Sequence, residues 1–247
     1  MRFLQQFLAA VSLSLVALTA GAAPSNPQNG VDFRTLDKPQ QTESGKKVEV
    51  TEFFWYSCPH CHSFDPALED WVKKQGDKIA FKRVPVAFRD SFVPQQRLFY
   101  ALEAMGKLDE MHKKIFQTIH VERKRLDSEA EIMDWIGTQG IDKQKFSEVF
   151  NSFSVQSKAR RAAQMQQAYQ VDGVPLIAID GRFLTSPSIV GASMRGAPEA
   201  ALYASTLQVM DALVARAAKD KGAGTSGSNG NAGAGAAAGG EQPAKKK

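Results

Sequence analysis

The chain is poor in cysteine: its 247 residues carry only two, Cys58 and Cys61. So few exclude a disulfide-stapled scaffold, since a core of this size does not need a staple. They also exclude a zinc finger, because adjacent ligands on one helical turn cannot all converge tetrahedrally and no second Cys/His pair follows at finger spacing. Histidine is nearly as scarce, at four. Of these, His112 and His120 fall on helical segments and are expected at the surface or half buried. Charge of one sign is not in great excess: a formal net charge of +5 makes no case for nucleic-acid binding. The basic runs Arg123-Lys124-Arg125 and Lys158-Ala159-Arg160-Arg161 are read as solvated faces. No apolar run of membrane-spanning length follows the N-terminal segment.

That segment, Met1 to Ala22, has one positive charge at Arg2, an apolar core from Phe7 to Leu18, and the small-x-small site Ala20-Gly21-Ala22. It reads as a secretory signal peptide cut after Ala22, with no cysteine at the cut to carry a lipid. A soluble protein of an oxidising compartment is expected, where disulfides persist. About 200 residues then remain before a tail, enough for one large domain or a domain with an insertion, and a 43% apolar fraction supports a full core.

Strands are expected at Val31–Leu36 (an edge), Val48–Tyr56 (central, rich in β-branched and aromatic residues) and Ile79–Val84, which Pro85 ends. Leu176–Ile179 and Arg182–Leu184 flank Asp180-Gly181, a two-residue hairpin signal. Between them the pattern turns helical, from about 88 to 168. Leu98, Leu102 and Met105 share one face, as do Leu108, Met111, Ile115 and Ile119. Ser128 with Glu131 forms a capping box ahead of Ile132, Trp135 and Ile136, and Gly140 stops that helix. Phe146 to Phe153 mark a short helix, and a longer one runs from about Val155 to Tyr169. This is a helical insertion over a sheet domain spanning 23–219. A last helix is expected from about Pro198 to Lys219. From 220 to 247 the chain is mostly Gly, Ala and Ser and ends in three lysines, and is read as a disordered tail.

The two cysteines stand in Phe53-Phe54-Trp55-Tyr56-Ser57-Cys58-Pro59-His60-Cys61-His62, directly after the central strand. Pro59 suits the first turn of a helix, where its missing N–H has no partner to lose. Cys58 then sits at the helix N-terminus and Cys61 within the first turn. Free N–H groups and the macrodipole stabilise a thiolate at that terminus, so Cys58 is the expected nucleophile and Cys61 the resolving thiol. His60 can add positive charge beside Cys58. Each pKa unit below ambient pH is worth about 1.4 kcal/mol, or about 30 mV for a two-electron couple, in the oxidising direction.

With Gly173-Val174-Pro175 entering a later strand, the arrangement resembles the thioredoxin superfamily. Glu52-Phe53-Phe54, Cys58-Pro59-His60-Cys61, the helical insertion and the signal peptide make it resemble the DsbA family of bacterial periplasmic thiol oxidases. The resemblance covers roughly Val31 to Lys219. It implies an α/β thioredoxin-like fold with an inserted helical subdomain and no cofactor or metal. It implies that Cys58 is an exposed nucleophile, Cys61 its buried partner and His60 the main tuner of the thiolate. Val174-Pro175 becomes a cis-proline loop that binds substrate backbone, and Glu52 a buried acid relaying the Cys61 proton, with Lys82 as its partner. The implied partners are unfolded exported proteins with free cysteines and a quinone-linked membrane reoxidant of the DsbB type, for a monomeric enzyme. His62 departs from the aromatic residue common in the family at that place.

Two alternatives use the same residues. A disulfide reductase or isomerase of the same superfamily is one, though no separate dimerisation domain is evident. The other is a c-type haem protein, since Cys58-x-x-Cys61-His62 satisfies the haem attachment motif, with His62 as axial ligand.

Overall fold

The structure is a computed structural model that describes residues 26–226. The expected signal peptide and residues 227–247 of the expected tail lie outside the described residues.

The elements follow in the order β1 (Arg34–Thr35), β2 (Val48–Phe54), α1 (Pro59–Gln75), β3 (Ile79–Pro85), α2 (Val93–Ala104), α3 (Leu108–His120) and α4 (Glu129–Thr138). After these come α5 (Lys143–Phe150), α6 (Phe153–Ala168), β4 (Leu176–Ile179), β5 (Phe183–Thr185), α7 (Pro187–Gly191) and α8 (Glu199–Ser226). The five strands form one sheet in the order β1-β5-β4-β2-β3, in which β2 and β3 run parallel and the other pairs antiparallel. Every residue of β2 is buried, which is why apolar and β-branched residues occupy both of its faces instead of alternating with polar ones; Glu49 and Glu52 are the buried exceptions, and each meets a cation on β3.

On one side of the sheet, Val48, Val50, Ile177 and Ile179 pack with Phe64, Leu68 and Trp71 of α1 and Val209, Met210 and Leu213 of α8. A second core joins Phe53 and Phe54 to Leu98, Phe99, Leu102, Ile115, Phe116, Trp135 and Phe146 of the helical segment α2–α6. The central strand therefore contributes to both cores, Val48 and Val50 to the first and Phe53 and Phe54 to the second.

Local signals hold at several ends. Ser128 Oγ accepts from Glu131 N at 3.3 Å, and the Glu131 carboxylate reaches back to Asp127 N at 3.1 Å, one residue beyond the standard box. Asp180 and Gly181 both adopt positive φ (53° and 66°), as a tight hairpin of this twist requires. Gly181 is needed twice over, because a Cβ there would lie 2.1 Å from Gln40 O. Two ends differ from expectation. The edge strand shrinks to Arg34–Thr35, and α8 continues past Lys219 to Ser226. The glycines at 222 and 224 disfavour helix, which is why composition reads this stretch as tail, and the continuation to Ser226 runs against local propensity. The short helix α7 carries no sequence expectation; Ser186 caps it and Pro187 opens it.

Candidate active site

Cys58 is the N-cap of α1, with Pro59 in the first helical position. Its sulfur occupies the place of a capping oxygen and accepts from Cys61 N at 3.3 Å. Both cysteines are free thiols. Their coverage differs less than the resemblance implies: Cys58 keeps 6% of its surface and Cys61 none. The small window on Cys58 opens beside Val174-Pro175, whose peptide bond is cis. Cys58 Sγ donates to Val174 O at 3.4 Å, so the loop before β4 lies directly against this sulfur.

The two thiols titrate in opposite directions. Cys58 is pulled down to about 6, first by a hydrogen bond from the Cys61 thiol, then by the backbone N–H groups of Cys61 and His60 and by His60's charge, against a burial effect that raises it. Cys61 is pushed well up, chiefly by burial, with the negative charges of Cys58 and Glu52 adding to it. The expected main tuner is therefore displaced. His60 is largely solvent-exposed, with Nδ1 3.6 Å from Glu199 Oε1, and its charge is the smallest of the named influences on Cys58. An imidazole in water is screened, whereas a neighbouring thiol inside the first turn is not.

Glu52 lies in the middle of β2 and is buried. Its carboxyl is pushed up to about 7, first by burial, with Asp65 and Cys58 adding to the rise and Arg83 opposing it. Lys82 is not its partner. In the parallel ladder Lys82 stands opposite Thr51 and Arg83 opposite Glu52. Side chains alternate faces along a strand, so Lys82 points to the other side of the sheet, where Nζ meets Glu49 Oε1 at 2.8 Å. Arg83 instead bridges two buried acids, with Nε 2.9 Å from Glu52 Oε2 and Nη2 2.8 Å from Asp65 Oδ1.

The network continues into the helical segment through a residue expected to be peripheral. His112 on α3 is 3% exposed. Its Nε2 is 3.3 Å from Asp65 Oδ1 and its Nδ1 2.9 Å from Tyr56 OH. Asp65 can only accept, so Nε2 carries the proton and Nδ1 accepts from the tyrosine, and burial lowers the imidazole pKa, favouring this neutral form. Arg83, Asp65, Tyr56 and His112 thus complete a chain from Glu52 to α3 that the sequence reading missed. His112 was legible in principle, because it shares the inward stripe of Leu108, Met111 and Ile115. Asp65 and Arg83 carried no such signal until the register was known.

His62 packs its ring flat on His120, centroids 4.7 Å apart, and His120 Nε2 donates to Tyr56 O at 2.8 Å. Burial, with His120's charge adding, lowers the pKa of His62. A c-type haem needs both cysteine sulfurs open to the porphyrin edge, and the fully covered Cys61 does not offer one. Beside the cis-proline loop runs a groove of about 900 Å³, lined by His60, Val174, Pro175, Ile189, Leu202 and Tyr203 among others. Its mixed walls and its place next to Cys58 suit an extended polypeptide segment.

The family model of the DSBA-like thioredoxin domain matches residues 49–202. The chain is 44% identical over 205 residues to the thiol:disulfide interchange protein DsbA of Burkholderia cepacia, covering 83% of this chain and 92% of that one. It is 38% identical to the protein of the same name from Bordetella parapertussis, over 87% of this chain and 97% of that one. The crystal structure of Pseudomonas aeruginosa DsbA superposes with a TM-score of 0.70 at 30% identity, covering 81% of this chain and 97% of that one. With a mixed five-stranded sheet, a helical insertion and a Cys-Pro-His-Cys helix terminus against a cis-proline, the chain belongs to the DsbA family of thiol:disulfide oxidoreductases with a thioredoxin-like fold.

Proposed function

We propose that the protein donates a Cys58–Cys61 disulfide to newly exported polypeptides in the periplasm. The observation that carries this is the split between the two thiols, Cys58 at about 6 and Cys61 driven the other way. At pH 7 the first is mostly thiolate in the reduced protein, which is worth about 1.4 kcal/mol, or about 30 mV toward oxidant strength.

In the reaction, a substrate thiolate attacks Cys58 Sγ of the disulfide, the S–S bond breaks, and Cys61 leaves with the electron pair and takes up a proton. A second substrate thiolate then attacks the substrate sulfur of the mixed disulfide. Cys58 departs as the stabilised thiolate, the substrate is oxidised and the enzyme holds both cysteines reduced. Pro59 fixes the helix start that places Cys58, and His60 contributes an N–H and a nearby charge. Glu52, poised at about 7 beneath the pair, can take the Cys61 proton on disulfide formation and return it on reduction. Val174 and Pro175 hold the substrate strand against Cys58. The partners are unfolded proteins with free cysteines and a membrane-bound, quinone-linked reoxidant of the DsbB type; the enzyme acts as a monomer, freed by cleavage after Ala22.

The test is to mix the oxidised protein with a reduced two-cysteine peptide and follow peptide disulfide and protein thiols by mass. Stoichiometric peptide oxidation that disappears in Cys58→Ser supports the proposal. An equilibrium lying toward peptide thiols at pH 7 would reverse the direction to that of a reductase.

A further inference from the structure

Next to Cys58 and separate from the cis-proline groove lies a second pocket, of about 510 Å³, to which Ser57 and Pro59, the two chain neighbours of the reacting cysteine, both contribute. Its other walls include Trp55, Phe92, Gln95, Arg89 and Arg123. We infer that this pocket is a second substrate subsite, which takes an acidic peptide segment next to the reacting cysteine. The inference rests on the thiol-oxidase reading above and adds a substrate preference to it.

Three observations support a peptide with negative charge. The rim is basic: Arg89 and Arg123 are exposed and have no carboxylate partner among the described residues, while the third arginine of the rim, Arg125, pairs with Asp127. Arg89 is also held in place, its guanidinium 4.4 Å over the Phe92 ring, which itself stacks on Trp55 at 3.8 Å. A charge anchored on an aromatic tier loses less side-chain freedom when it binds an anion.

The floor then supplies unused hydrogen-bonding groups of both kinds. Trp55 Nε1 and Gln95 Oε1 are buried and have no hydrogen-bond partner among the described residues. Rotating the Gln95 amide does not repair this. Its Nε2 already donates to Ser57 Oγ at 2.7 Å and to Arg125 O at 2.9 Å, and the latter can only accept. One free donor and one free acceptor are what the C=O and N–H of a peptide unit would satisfy once the pocket wall shifts to uncover them, and buried polar groups are rarely left without partners. The third observation is position. Ser57 and Pro59 line this pocket while His60, Val174 and Pro175 line the cis-proline groove, so a polypeptide joined to Cys58 is within reach of both.

The test uses oxidised protein and three single-cysteine peptides in which the residues flanking cysteine are Asp/Glu, Gln or Lys. Rates of mixed-disulfide formation are normalised to each peptide's rate with dipyridyl disulfide, which removes the effect of charge on the peptide thiol itself. At low ionic strength the acidic peptide should react about threefold to tenfold faster than the Gln peptide, the range expected for two exposed ion pairs, and the Lys peptide more slowly. In R89Q/R123Q, or in 1 M salt, the three normalised rates should converge. Equal normalised rates in the unmodified protein at low salt overturn the subsite. So does a preference that survives R89Q/R123Q. If the Gln peptide forms no mixed disulfide at all, the thiol-oxidase reading fails, and this inference with it.

Discussion

The low Cys58 pKa has a consequence for how the redox potential depends on pH. Reducing the disulfide takes up two protons when both product thiols are protonated and one when Cys58 remains a thiolate. A tenfold change in equilibrium constant is about 30 mV for two electrons, so the potential should fall by about 59 mV per pH unit below pH 6 and by about 30 mV above it. With Cys58 at about 6 and Cys61 far higher, the break falls at pH 6. By pH 8 the potential should stand about 60 mV above the line extrapolated from acid. Glu52 softens the break. The thiolate formed on reduction raises its pKa near 7, so the carboxyl takes up part of a proton and the slope between pH 6 and 7 lies between the two limits. Glu52→Gln should sharpen the break at 6. The assay is equilibration with glutathione buffers from pH 4 to 8, with the oxidised fraction read by alkylation and mass. A single slope of about 59 mV per unit across that range would refute the assignment of a depressed Cys58 and with it the argument for oxidant strength.

Cys61→Ala should raise the Cys58 pKa more than His60→Ala does, because the Cys61 thiol is the larger stabiliser; thiolate absorbance at 240 nm checks the order. Arg83→Gln leaves Glu52 and Asp65 buried without their cation and should cost about 3 to 5 kcal/mol in urea unfolding at pH 8, and less at pH 5, where Glu52 is already protonated. Between about pH 4.5 and 7 the folded chain keeps the Glu52 proton that the unfolded chain has released, so this group lowers stability as pH rises, by at most about 1.4 kcal/mol per unit. Glu52→Gln should remove that decline, visible as a difference in denaturant midpoints between the two proteins. His112→Ala strips partners from Tyr56 OH and Asp65 and should cost about 2 to 4 kcal/mol in urea unfolding; a loss below 1 kcal/mol would show that the network is not coupled.

The redox motif, its place after a buried strand and the N-cap role of Cys58 were legible in the sequence because they are local. Strand β2 announces its burial through its β-branched and aromatic composition, and Pro59 marks the helix start by its missing N–H. The Asp180-Gly181 hairpin is likewise a property of two residues. The partner of Glu52 was not legible, because it depends on which residue of β3 stands opposite it, and a slip of one residue exchanges Arg83 for Lys82 and one face of the sheet for the other. The same holds for His112, which reaches Asp65 only when α3 is laid against α1, 47 residues away in the chain. Order of tuning was also tertiary: the sequence places His60 closest to Cys58 in the text, but solvent screens an exposed imidazole, and the covered Cys61 thiol wins. The sequence by itself determined that the two thiols share the first turn of a helix after a buried strand; only the tertiary structure decided which buried charges surround them, because electrostatics in a low-dielectric interior depends on distances that the chain order does not contain.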